Sequence, residues 1–159
     1  MSKATLAGTG LAVAAAATTG SIASPGRTPG WYTRIRKPRY QPPSVAFPVA
    51  WTTLYTDIAV TSAVAIDRFR ATGREDKARS YIVALGINLL LNASWSWLFF
   101  RYHKLGASAL GAAALTASSA DLARRAAEAD PRAGAALAPY PLWCGFATVL
   151  STDIWRLNR

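Results

Sequence analysis

One cysteine, Cys144, among 159 residues excludes an internal disulfide and leaves the redox compartment undetermined. It reads as a small, inert apolar side chain. One histidine, His103, lies in the loop RYHKLG between Arg101 and Lys104; it reads as a solvated loop residue rather than a haem ligand, and no metal site is expected. Paired carboxylates, HExxH, CxxC and a glycine-rich phosphate loop are all missing, which removes the common hydrolytic, redox and nucleotide chemistries. Acids are scarce, 8 Asp and Glu against 18 Lys and Arg, for a net charge of +10. The cations cluster in short gaps between apolar runs rather than along one helical face. That placement suits anionic lipid headgroups and argues against nucleic acid as a partner.

What the chain does have is apolar length. Residues AVILMFWYC make up 52% of it and charged residues only 16%. Its mean hydropathy of +0.15 is low for a membrane protein because small residues, Ala and Gly, build much of the apolar sequence. About 19–20 residues are needed to cross the hydrocarbon core. Five stretches meet or approach that: 5–23, 44–66, 80–100, 106–123 and 135–157, with a basic loop over 24–43. The reading is an all-α integral membrane bundle of five transmembrane helices, 1–159 forming one membrane domain. The first stretch has an alternative as a signal peptide, with Lys3 as its charge and SIA as a small-residue cleavage site. The fourth, GASALGAAALTASSA, is expected to pack deeply between neighbours because small residues let helices approach.

Orientation does not follow from the cations. Lys3, Arg68, Arg70, Arg74, Lys77, Arg79, Arg124, Arg125 and Arg132 fall on one side. Arg27, Arg34, Arg36, Lys37, Arg39, Arg101, Lys104, Arg156 and Arg159 fall on the other, so the positive-inside rule ties.

Helical spacing gathers the polar and aromatic residues of the spans into stripes. Trp51 and Tyr55 are one turn apart. Asn88, Asn92 and Trp95 follow i, i+4, i+7, and Tyr140, Trp143 and Ala147 follow i, i+3, i+7. Amides are costly in lipid, so Asn88 and Asn92 should face the bundle interior. Converging stripes would enclose an aromatic pocket of the kind that binds small molecules. Trp31, Tyr32, Tyr40 and Trp97 read as interfacial anchors. Asp57 lies about 21 Å along its helix from Pro43 at ~1.5 Å per residue; it is either a functional acid or an acceptor for hydroxyls such as that of Thr61. Asp153 is expected to pair with Arg156 at i+3.

The segments WYTRIRKPRYQPP, FPVAWTTLY, LNASWSWLFF and PYPLWCGFATVLSTDIWRLN resemble, in order, the signatures of the tryptophan-rich sensory protein family, also called the translocator protein or peripheral-type benzodiazepine receptor family. The resemblance runs from Trp31 to Asn158. It implies a five-helix membrane bundle, usually a homodimer, whose pocket takes protoporphyrin IX, other tetrapyrroles and benzodiazepine-type ligands. Carried onto this chain, the binding residues would be Pro42, Pro43, Trp51, Asn92, Trp95, Tyr140, Trp143 and Ala147. Trp51 and Trp143 are the candidates for porphyrin chemistry. The basic loop would act as a lid, its cations meeting porphyrin propionates. A porphyrin would be a ligand, with no cofactor required, and the bacterial cell membrane is the expected location.

Several departures qualify what is carried over. VLSTDIWR lacks the tyrosine of the family's sterol-associated pattern, which puts sterol binding in doubt. Gly111 stands where an acid is frequent, and no GxxxG-like dimer face is evident in the third span. Three functions stay open: a porphyrin sensor, scavenger or transporter; an enzyme-like, light- and oxygen-dependent porphyrin degrader; and a structural or lipid-binding bundle.

Overall fold

In the computed structural model, which describes residues 1–24 and 30–159, the chain is 84% helical and has no strand among the described residues. Arg27, counted with the loop's cations, lies outside the described residues, as does part of the 24–43 loop. The helices are α1 (Lys3–Ala23), a single turn α2 (Trp31–Arg34), α3 (Ala46–Ala71), α4 (Glu75–Ser96), α5 (Leu105–Ala129), α6 (Pro131–Leu137) and α7 (Pro139–Asn158). A π-helical turn, Trp97–Arg101, extends α4. Among the described residues, four stretches are long and apolar enough to cross a membrane: α1, α3, α4 with its π turn, and α6–α7 together. The fifth long helix, α5, has 25 residues, of which the last third is charged. The chain is an integral membrane helical bundle, and five long rods match the five expected helices.

Local chemistry sets the ends. Pro43 precedes α3 and its carbonyl accepts the Ala46 N–H at 2.9 Å. α3 stops at Gly73, whose φ of +71° is the left-handed conformation that glycine adopts without strain. The Arg74 N–H then closes back on the Phe69 carbonyl at 2.8 Å, satisfying a terminal acceptor. Glu75 and Asp76 open α4, placing negative charge at the positive end of the helix dipole. Asp130 caps α6 by accepting the Arg132 N–H at 2.8 Å, with Pro131 in the first turn, where a missing N–H costs nothing.

α1 lies on α3 and α4, α4 on α5, and α5 makes its most extensive contact with α7. Thr9 of α1 donates to the Ala59 carbonyl of α3 at 2.8 Å. On α5, Ser108, Ala109, Ala112, Leu115, Ser119, Leu122 and Ala126 are buried, while Leu110 is 75% exposed. The alanine-rich helix therefore packs closely through one stripe only. It is not enclosed on all sides, because its alanines cover the whole circumference while its neighbours stand on one side.

Candidate functional site

α7 makes little backbone contact with either α3 or α4. The space among these three helices is filled by side chains, in two layers.

The lower layer is a hydrogen-bonded chain. Tyr55 of α3 donates its hydroxyl to Asn92 Oδ1 at 2.8 Å. Asn92 Nδ2 donates to the Tyr140 hydroxyl of α7 at 3.1 Å, and Tyr140 donates to Asn88 Oδ1 at 2.8 Å. Asn88 Nδ2 ends the chain on Ser118 Oγ of α5 at 3.2 Å. Asn88, Asn92 and Tyr140 are fully or almost fully buried. Each amide thus finds donor and acceptor partners inside the bundle, which polar groups within a bilayer require. The spacing argument for Asn88 and Asn92 holds in the structure.

The upper layer is aromatic. Trp51 is tilted over Tyr55, centroids 5.4 Å apart, and meets Trp143 edge to face at 6.5 Å. Phe47 and Phe146 flank Trp143 at 6.0 and 5.6 Å. Trp95 stacks on Phe99 at 5.5 Å, and Gly111 stands opposite it: a Cβ there would lie 3.9 Å from Trp95 and 3.5 Å from Leu98. The indole N–H groups of Trp95 and Trp143 are buried with no hydrogen-bond partner among the described residues. Buried indoles ordinarily find one. Ala147 follows Trp143 one turn on, half-buried; Pro42, half-buried, and Pro43, exposed, lead into α3.

The loop covers the aromatic layer. Trp31 packs against Phe99 at 5.8 Å, and Tyr32 against Phe99 and Phe100 at 6.2 and 5.8 Å. Gln41 donates to the Tyr32 hydroxyl at 2.8 Å. Burial raises the Tyr32 phenol above its ordinary range and the Gln41 amide pulls it back. Lys37 lies over the Tyr32 ring, 4.5 Å from its centroid. At the end of α7, Asn158 holds the loop from both sides: it accepts the Arg36 N–H and donates to the Arg36 carbonyl, each at 2.8 Å. Tyr40 donates to Asp153 at 2.5 Å.

These contacts correct one sequence expectation. Asp153 bonds Tyr40 and forms no ion pair with Arg156, because the covering loop reaches its carboxylate first. Trp31, Tyr32 and Tyr40, read from sequence as interfacial anchors, also make loop-to-bundle contacts. His103 is exposed, as expected, yet its ring stacks on Trp31 at 3.8 Å. Asp57 accepts the Thr61 hydroxyl at 2.8 Å, the structural option of the two weighed for it. Phe47, Phe146, Ser118 and Asn158 were not singled out from sequence. The first two carry no polar signal, and the last two acquire meaning only from what stands opposite.

A sequence model of the TspO/MBR family matches residues 8–156. The protein CrtK of Rhodobacter capsulatus is 31% identical over 93% of this chain and 89% of its own length. The tryptophan-rich sensory protein of Cereibacter sphaeroides is 29% identical over 92% of this chain and 87% of its own. The human translocator protein is 28% identical over 81% of this chain and 75% of its own.

Proposed function

The chain belongs to the TspO/MBR family, and from that we propose that it binds porphyrins such as protoporphyrin IX, and related hydrophobic ligands, among α3, α4 and α7. Its role is that of a tetrapyrrole sensor or scavenger, with no cofactor. The observation that carries the reading is the pair of buried indole N–H groups on Trp95 and Trp143, unpartnered among the described residues, set in an aromatic layer where the backbone of α7 stands off from α3 and α4. A flat macrocycle offers faces for Trp51 and Trp143 to stack on and edges for the indoles to donate to. The rings now pack on one another, so a ligand of that size enters by parting them and lifting the loop. Arg34, Arg36, Lys37 and Arg39 of the loop, which form no ion pair among the described residues, suit the propionates. Residence in a bacterial cell membrane and a homodimeric state belong to the same reading.

The edge-to-face contact of Trp51 and Trp143 supports a second reading. There the two indoles promote light- and oxygen-dependent porphyrin breakdown rather than binding alone. Transport has less support, since five spans show no inverted repeat.

Quenching of tryptophan fluorescence on titrating the detergent-solubilised protein with protoporphyrin IX in the dark tests the first reading. Saturable quenching that weakens in Trp51→Ala or Trp143→Ala supports it; quenching equal to that of free tryptophan in the same detergent defeats it. The double variant Trp51→Phe/Trp143→Phe separates the readings. Binding without breakdown under light assigns the chemistry to the indoles, whereas unchanged breakdown removes them from it.

A further inference from the structure

On the side of the bundle away from the loop, α4 and α5 run antiparallel and leave an outward-facing groove of about 290 Å³. One stripe of α4 (Ser80, Val83, Ile87) and one of α5 (Ser118, Asp121, Arg125) line it. Pairing Ser80 with Arg125 and Ile87 with Ser118 gives the groove a polar end and a deeper, more apolar one, about 10 Å apart at ~1.5 Å per residue. At the polar end, near the start of α4, Arg125 donates through Nε to Asp121 Oδ2 at 2.7 Å and through Nη1 to Ser80 Oγ at 2.6 Å. Its Nη2 makes no hydrogen bond among the described residues. Asp121 receives Arg124 on Oδ1 at 2.8 Å, so Oδ2, holding Arg125 alone, keeps acceptor capacity. Towards the deeper end, Val83 and Ile87 are 61% and 54% exposed.

We propose that this groove is a site for one phospholipid with a primary-ammonium headgroup, an ethanolamine phospholipid. Arg125 Nη2 takes the phosphate, Asp121 Oδ2 accepts from the ammonium, and an acyl chain runs over Val83 and Ile87. Charge selects the head. Lys77, Arg124 and Arg125 beside the groove share the two carboxylates of Asp121 and Glu128, so a head placed there meets both signs of charge, and one that carries both suits it. A choline head cannot donate a hydrogen bond to Asp121. The site is separate from the porphyrin reading, although Ser118 links the two through Asn88.

Native mass spectrometry of the full chain, released from detergent with dioleoyl phosphatidylethanolamine, phosphatidylcholine or phosphatidylglycerol, tests this. The expected result is one saturating phosphatidylethanolamine adduct, favoured about tenfold over the other two, the worth of one charge-assisted hydrogen bond. Ile87→Trp, a change on an exposed face that leaves the fold intact, fills the groove and removes the adduct. Asp121→Ala, which removes the acceptor, abolishes the preference over phosphatidylcholine. Equal binding of the three lipids, preference for phosphatidylglycerol, or an adduct that survives Ile87→Trp overturns the proposal.

Discussion

At the α3–α4 turn and the α5–α6 junction, Arg68, Arg70, Lys77, Arg79, Arg124 and Arg125 each meet a carboxylate within 4.0 Å. At the loop end, Arg34, Arg36, Lys37, Arg39, Arg101, Lys104, Arg156 and Arg159 form no ion pair among the described residues; Lys37 and Arg159 lie over aromatic rings instead. The two ends carry equal numbers of Lys and Arg, yet six of the eight acids lie at the turn end and only Asp153 at the other. Exposed pairs contribute roughly 0–1 kcal/mol each, so the turn end gains neutrality more than stability. The loop end keeps a positive field that reaches into solution. A count of cations misses this, because it ignores where their partners are.

Packing differs along the same axis and yields the largest expected effect. A Cβ on Gly134 of α6 would overlap the Ala127 Cβ and lie 2.7 Å from its Cα, so backbone has to move. Gly134→Ala should cost about 1–3 kcal/mol, read as a lower melting temperature in detergent. Gly111→Ala, near the aromatic layer, meets only ordinary contacts and should change stability by less than about 0.5 kcal/mol. Equal losses would show that the loop end is as tightly set as the turn end.

Next comes the hydrogen-bonded chain between the two ends. Asn92→Leu removes the acceptor of the Tyr55 hydroxyl and a donor to Tyr140, while Tyr140 keeps Asn88. The loss should be about 1–2 kcal/mol, at the upper range for buried polar pairs in membranes. An unchanged melting curve would mean that the chain is incidental to the fold.

A smaller effect probes the charge contrast directly. If the loop end attracts a dianionic porphyrin, raising salt from about 0.05 to 0.5 M should weaken protoporphyrin IX binding roughly threefold through screening. Arg36→Gln with Arg39→Gln should lower both affinity and salt sensitivity, while Arg124→Gln leaves both unchanged. Salt dependence that the loop variants do not alter would remove the cations from recognition.

The rods and the interior stripes were legible because period and polarity suffice to place them: Asn88 and Asn92 are interior for the reason that lipid rejects amides. The loop was not. WYTRIRKPRYQPP has no hydrophobic period, and whether its rings enter lipid or fold back on the bundle depends on Asn158 and Asp153, more than 110 residues away. Asp153 shows the limit most clearly. An i+3 cation was the best local partner, and a distant tyrosine displaced it.

That tyrosine gives the smallest and most local test of the loop end. Partial burial and the Asp153 carboxylate that accepts its hydroxyl together push the Tyr40 phenol up to about 12, from an ordinary value near 10. The folded state therefore prefers the neutral form. The latch is intact below pH 10, and its contribution is lost as pH rises from 10 through about 12, where the phenolate repels Asp153. Subtracting the phenolate absorbance titration of Tyr40→Phe from that of the parent chain isolates this group. It should titrate near 12, and Asp153→Asn should bring it back towards 10, since the amide carries no charge to oppose ionisation. A Tyr40 that titrates near 10 in the parent chain would mean that the loop does not rest on Asp153. The loop would then be held by Asn158 and by the packing of Trp31 and Tyr32 on Phe99 and Phe100.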